Sequence, residues 1–341
     1  PENGIQHMRI GLAGVGRIGA FHARTLLGLD FVDELVITDA DPAAAERVAG
    51  ELGVRRVPSV EDLLALPVDA LVIASATPSH ADLLRQGIAA GVPTFCEKPV
   101  AGTLEETLEL ARLEAASDVP VHIGFQRRFD TGYRRIRDAI AAGDLGFVHT
   151  IRANTHDQTP PHASYIPTSG GIFRDCNVHD FDAIRFVTGR EVTTAYAVGS
   201  NKGEPFFSEA GDVDSGAALL TLDDGTSCLV SSTRYNGSGH DVRMEAMGSA
   251  ATLTAGLDDS LAMRSAEEGV AFPPGRAHAT FMDRFQPAYV AELTAFAGVA
   301  RGDQPSPCTV RDALQAFRAA EACDRSRREG RMVALSEVAD L

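Results

Sequence analysis

The stretch RIGLAGVGRIGAFHARTLL, residues 9–27, constrains the fold more than any other part of the chain. A short apolar run leads into Gly14, Gly16 and Gly19, and Ile18, Phe21, His22 and Leu26 then recur at helical spacing. This is G-x-G-x-x-G set between a predicted strand and a predicted helix. Gly14 allows a tight turn, Gly16 lets the backbone approach a pyrophosphate, and Gly19 lets the helix sit close to the sheet. The helix N-terminus, with Arg17 and Ile18 in its first turn, then offers free N–H groups to phosphates. A glycine turn alone could belong to some other strand–turn–helix unit. Here ELVITDADPAAAERVAGELG follows, and its strand ends in Asp39, 25 positions after Gly14. That is the place of the acid that takes a ribose 2′-OH. Asp39 would also repel a 2′-phosphate, which favours NAD over NADP. Asp41 reads as the cap of the next helix, with Pro42 at its first position.

Alternation continues through ALVIASATPSHADLLRQGIAAG, VPTFCEKP, TLEETLELARLEAAS and VPVHIGFQ. Strands alternating with helices of this length predict an α/β domain with a mostly parallel sheet covered on both faces. Ligands of such sheets sit beyond the C-terminal strand ends, which here read ATPSH, EKP and GFQRR. Ala76, Thr77, His80 and Glu97 are therefore added to the cofactor-binding candidates. After Arg128 the pattern changes. A helix over 129–146 and a strand over 147–156 precede a polar loop, DQTPPHASYIPTSGG, too long for an idle connection. Residues 214–234 read as two strands around Asp-Asp-Gly, 240–256 as further strand, and about 282–301 and 309–326 as closing helices. The expectation is a Rossmann domain over 8–125 and an α+β domain with a largely antiparallel open sheet over 126–341. One face of that sheet, rich in Val, Leu and Ala, could serve as a dimer surface.

Composition excludes several functions. With 31 basic and 47 acidic side chains the formal charge is −16, which argues against nucleic-acid or anionic-membrane partners. No apolar run approaches a membrane span and no cleavable signal precedes the first strand. PENGIQH ahead of Met8 reads as a cloning remnant. Five scattered cysteines without a C-x-x-C pair suggest neither a zinc site nor a disulfide framework, and fit a reducing cytoplasm.

GGIFRDCNVHDFD, residues 170–182, gathers Asp175, Asp180 and Asp182 around His179. Asp175 and His179 share a face if a helix starts near Arg174. A carboxylate near an imidazole raises its pKa and orients it, and histidine is a natural base for an alcohol proton. Equally, His179 could be a satisfied internal histidine and Asp175 an N-terminal cap. Asp180 and Asp182 read as helix-surface or positioning residues. Lys98 ends a strand, where its ammonium could stabilise an alkoxide; the plain alternative is a surface lysine paired with Glu97. Arg127, Arg128, Asn154, His156 and Asp157 are further polar residues near the domain junction.

AGVGRIGAFHA, ATPSHADL, CEKPVA, GFQRRFDTGY and GGIFRDCNVHDFD, in this order and spacing, resemble the glucose–fructose oxidoreductase/inositol dehydrogenase/MocA family over nearly the whole chain. The resemblance implies an NAD-dependent dehydrogenase, without catalytic metal, that moves a hydride between a cyclic polyol (myo-inositol or a related inositol) and NAD. It implies Lys98, Asp175 and His179 as catalytic residues, with His179 the acid/base. Arg127, Asn154 and His156 are implied as substrate contacts. A tetramer or dimer built through the C-terminal sheet is implied too. One departure stands out: where many members carry Y-G-Y-D, this chain reads YNGSGHD, so His240 takes the place of the second tyrosine as a substrate contact. Three alternatives stay open: use of NADP or service as a sugar or anhydrosugar dehydrogenase or ketoreductase, an enzyme that runs another reaction, such as glycosidic bond cleavage, through a tightly bound cofactor, or a non-enzymatic NAD-binding sensor.

Overall fold

The computed structural model describes residues 7–341, so the expected remnant lies, apart from His7, outside the described residues. Contacts along the chain divide it into two units. The first holds the residues up to Gln126 together with Tyr289–Leu314 and Leu341; the second holds Arg127–Ala288 and Gln315–Asp340. Assigning everything after residue 126 to one domain therefore needs correcting for Tyr289–Leu314. The reason is apolar burial: Leu293, Phe296, Ala297 and Val299 pack into the first unit's core with Leu12, Val72 and Phe95.

In the first unit, strands β1 (Met8–Ala13), β2 (Val32–Thr38), β3 (Arg55–Arg56), β4 (Ala70–Ile73), β5 (Thr94–Glu97) and β6 (Val121–Gly124) alternate with helices α1 (Arg17–Leu27), α2 (Pro42–Leu52), α3 (Val60–Leu64), α4 (Thr77–Ala89) and α5 (Leu104–Ala115). All strand pairs are parallel, in the order β3-β2-β1-β4-β5-β6. Strands β4, β5 and β6 are buried throughout, as a sheet covered on both faces requires. The order reverses between β1 and β4, and this switch point is where a ligand crevice opens. Helix starts follow their capping chemistry: Asp41 accepts from the Ala43 amide with Pro42 behind it, and Thr103 caps α5.

The second unit contains α6 (Thr131–Ala142), β7 (Val148–His156), α7 (Val178–Thr188), β8 (Val192–Ser200), α8 (Phe206–Glu209), β9 (Ser215–Leu222), β10 (Ser227–Thr233), β11 (Asp241–Gly248), β12 (Thr252–Ala255) and β13 (Val333–Ala334). Helices α9 (Phe281–Ala300) and α10 (Val310–Glu329) run across both divisions of the chain. The sheet order is β12-β11-β7-β10-β9-β8-β13. Only β7 and β10 pair in parallel; the other pairs are antiparallel. Strand alternation sends Ile151, Ala153 and Thr155 to the buried, helix-covered face, while Thr150, Arg152, Asn154 and His156 take the other. On that outer face Tyr196, Leu219 and Leu229 are direct neighbours across three strands, each more than 40% exposed.

Glu114 on α5 carries a pH dependence in the first unit. Both its oxygens accept from the Val310 amide at 3.0 Å. Burial nevertheless pushes its carboxyl up to about 7. The folded chain thus holds this proton more tightly than the unfolded one. The resulting stability is full below the ordinary carboxylate range and is lost as pH rises toward 7. Urea unfolding of Glu114→Gln should show its stability gaining on the parent's by about 1–3 kcal/mol between pH 5 and pH 8, less than the full shift implies because the group keeps some solvent contact.

Candidate active site

In the first unit the glycine loop lies at the switch point. Gly14 has φ +98°, and a Cβ there would stand 2.4 Å from the Ser75 backbone at the end of β4. A Cβ at Gly19 would lie 2.0 Å from the Gly14 carbonyl oxygen, so α1 closes directly onto the loop. Gly16 differs: nothing lies within 4 Å of a Cβ built on it. It is the N-cap of α1 with no capping side chain, and Arg17 beside it is exposed while Ile18 is half-buried. This open cradle before uncapped amides fits a pyrophosphate. At the end of β2, Asp39 accepts from the Val15 amide (2.7 Å) and the Asp41 amide (2.8 Å). Each oxygen retains a lone pair for a ribose hydroxyl. Residues Gly14–Gly19 and Asp39 would hold the dinucleotide, which when bound accepts or returns a hydride.

Helix α4 starts at Thr77 with Ala76 as an exposed N-cap that lends no side chain. The structure gives His80 and Glu97 other partners than a cofactor. Both ring nitrogens of buried His80 face carbonyls, Nδ1 that of Pro99 (2.7 Å) and Nε2 that of Ser75 (3.0 Å). The ring thus joins the ends of β4 and β5. Glu97 turns inward, its Oε1 2.6 Å from His22 Nε2, with both side chains buried. It is not the partner of Lys98, which follows half-buried at the strand end.

In the second unit the expected helix start near Arg174 is a π-turn, Phe173–Asn177, continuing into α7. Such turns widen a helix locally and need outside support. The support comes from Asp180, which is fully buried. It accepts from Arg127 (2.6 Å), the Thr155 hydroxyl (2.8 Å) and the Asn177 amide (2.8 Å). Ser232 on β10 donates to Asn177 in turn. Asp182 takes the Arg128 guanidinium in two bonds of 2.8 and 2.6 Å. Neither aspartate is on a helix surface. Arg127 also donates to Thr155 and is 2% exposed, so its charge is met inside the unit rather than displayed to a polyol.

Asp175 is no helix cap. Its Oδ1 accepts from the Tyr165 hydroxyl at 2.9 Å and its Oδ2 from Arg234 Nη2 at 2.6 Å. Arg234 Nη1 reaches Asp157 Oδ2 at 2.9 Å, and His240 Nδ1 lies 3.3 Å from Asp157 Oδ1. Burial alone would raise the Asp157 carboxyl, but the His240 bond and the Arg234 charge hold it below its ordinary range. Burial likewise works against the Arg234 charge, yet Cys176, Asp175 and Asp157 drive its pKa upward. His179 is half-buried in the first turn of α7. The row Tyr165–Asp175–Arg234–Asp157–His240 lies at the ends of β7 and β10. Asn154 and His156 are not part of it. They sit on the outer sheet face, where Asn154 donates to the Asp241 carbonyl and His156 Nε2 lies 2.9 Å from the Ser231 hydroxyl. Burial lowers the His156 pKa.

Sequence reasoning missed Arg234 and Tyr165 and gave Asp157 only as one of several polar residues that could hold polyol hydroxyls. A signal existed for Arg234. It shares the inward parity of Cys228, Val230 and Ser232, and an arginine at a core-facing position calls for an acid partner. Tyr165 carried no such mark in its irregular loop.

A parallel six-stranded sheet with an open glycine cradle and an acid after its second strand defines a dinucleotide-binding oxidoreductase. Residues 8–125 match the oxidoreductase family with an NAD-binding Rossmann fold, and residues 133–254 match the GFO/IDH/MocA C-terminal domain. A myo-inositol dehydrogenase of Streptomyces leeuwenhoekii is 37% identical over 95% of this chain and 98% of its own. The inositol 2-dehydrogenase of Rhizobium meliloti is 34% identical over 96% and 99%. A scyllo-inositol dehydrogenase from Lactobacillus casei, solved with NAD(H) and scyllo-inositol, superposes with a TM-score of 0.87 at 28% identity, covering 97% of this chain and 99% of that one. The chain belongs to the GFO/IDH/MocA oxidoreductase family.

The glycine geometry separates binding from folding. Gly16→Val should leave the melting temperature within about 2 °C while weakening NADH binding at least ~10-fold by fluorescence titration, because its Cβ meets only the space a phosphate would use. Gly19→Ala should lower the melting temperature, because its Cβ strikes backbone.

Proposed function

We infer that the protein is an NAD-dependent dehydrogenase acting on the CH–OH group of a cyclic polyol, with myo-inositol or scyllo-inositol as substrate. The observation that carries this reading is the row of alternating acceptors and donors from Tyr165 to His240 beside His179 in the chain. A ring bearing a hydroxyl on every carbon offers both a donor and an acceptor at each position, which such a row can match. Relatives named for inositol support the choice of ring.

The catalytic assignment rests on Lys98, Asp175 and His179. An imidazole nitrogen of His179 takes the hydroxyl proton in the oxidative direction and returns it in the reductive one. Lys98 supplies an ammonium suited to balance the charge of a developing alkoxide. Asp175 orients the hydroxyl, its carboxylate being fixed from two sides. His240 contributes to substrate choice through the ring that Asp157 holds.

The test is NADH formation at 340 nm over a panel of inositols, aldoses and anhydrosugars with NAD and NADP. Saturable turnover of an inositol with NAD is expected, lowered at least ~10³-fold in kcat by His179→Ala. Turnover of only a non-inositol sugar would replace the substrate, and no turnover with either cofactor would overturn the enzymatic reading.

The outer sheet face supports a homo-oligomer, a dimer or tetramer, because Tyr196, Leu219 and Leu229 form one exposed apolar row. No helix among the described residues is long and apolar enough to cross a membrane. We place the protein in the cytoplasm on the strength of its scattered thiols. Leu219→Glu should shift the species in light-scattering chromatography toward the monomer, since a charge in a buried apolar interface is left unpaired.

A further inference from the structure

Two carboxylates, Asp157 and Asp175, are bridged by one guanidinium. Arg234 spends one terminal nitrogen on each, at 2.9 and 2.6 Å, and its side chain is only 4% exposed. Two half-buried like charges sharing one guanidinium repel unless that cation lies between them, and the unrelieved outcome is a shared proton. Other groups that act on the three are Tyr165 and Cys176, His240 on Asp157, and Asp212, whose carboxyl also feels Arg234. Arg234 is a permanent cation that bonds both carboxylates directly. Its Nε is buried and makes no hydrogen bond among the described residues. The guanidinium is therefore aligned by its two acids rather than by a third anchor.

We propose that Arg234 is the positioning residue of the site, holding Asp175 and Asp157 ionised and in fixed orientation so that both can receive hydroxyls of the polyol ring. This rests on the reading that Asp175 contacts substrate. The planar fork explains the residue type, because it bridges two carboxylates at once whereas an ammonium is a single point charge. Tyr165 restrains the remaining oxygen of Asp175, so the carboxylate is oriented by the loop on one side and the strand end on the other.

The test compares Arg234→Gln, Arg234→Lys, Asp175→Asn and the Arg234→Gln/Asp157→Asn double variant with the parent. Arg234→Gln should lower kcat/KM for inositol ~10²-fold while the affinity for NAD stays within about twofold. The acid limb of its kcat/KM–pH profile should rise by about one unit, because loss of the cation raises the pKa of every acid and base beside it. Arg234→Lys should recover part of the loss. The double variant, relieved of the repelling partner, should return the limb toward the parent. A limb that stays in place, or a loss no larger than the folded fraction explains, overturns the proposal. Should Arg234→Gln not fold, Arg234→Lys decides: a parental kcat/KM overturns the proposal, since a point charge cannot bridge both acids. Parental activity in Asp175→Asn would instead overturn the assignment of Asp175 to substrate. Carboxyl titrations by carbon NMR then judge Arg234 without turnover: a rise of about one unit in Arg234→Gln upholds its role and unmoved titrations in that variant overturn it.

Discussion

One buried carboxylate holds the second unit's functional segment in shape. Asp180 receives a guanidinium, a hydroxyl and a side-chain amide from three separate elements: Arg127 ahead of α6, Thr155 on β7 and Asn177 in the π-turn. A charge this deep is tolerated only when its oxygens are fully met, and removing one partner of such a pair typically costs about 3–5 kcal/mol. The π-turn has weaker internal bonding than an α-turn, so its persistence depends on this outside support. Asp175 lies within that turn and His179 just beyond it. Their spacing therefore depends on a residue that need never touch a substrate.

The first unit solves a similar problem without charge. Gly14 and Gly19 let the end of β4, the loop and α1 approach closer than any Cβ permits, while Gly16 is left facing open space. Contact is tight where the backbone must turn and absent where a phosphate must enter. His80 extends the arrangement by tying the Ser75 and Pro99 carbonyls together. The turn that carries Lys98 is thus fixed to the strand end beside the glycine loop. Glu97 and His22 bury a polar pair under the same turn, packed against Phe95 and Tyr289. Two polar side chains that look like ligand contacts in the sequence thus also have structural partners on either side of Lys98's turn.

The two units show why charge in a sequence is hard to read. Arg127, Arg128, Asp180 and Asp182 look like surface or ligand residues because charged side chains usually are. Each finds an opposite charge more than fifty positions away, and such pairings leave no local pattern. Asn154 and His156 show a different limit. Alternation fixes which residues share a face, but it does not say which face meets the ligand. The partners of Thr155 and Asp157, Asp180 and Arg234, become visible only in the folded chain.

By itself the sequence determined the parallel nucleotide-binding sheet, the three roles of the glycine loop, the acid after β2 and the largely antiparallel sheet of the second unit. These depend on local periodicity, turn chemistry and short spacing, which one segment of chain displays in full. Tertiary structure alone decided that residues 289–314 belong to the first core, that Asp180 supports a π-turn, and that Arg234 stands between two aspartates. The physical reason is the same in each case. Burial and ion pairing are properties of groups brought together from distant positions, and their energy depends on the environment that folding creates rather than on the order of residues.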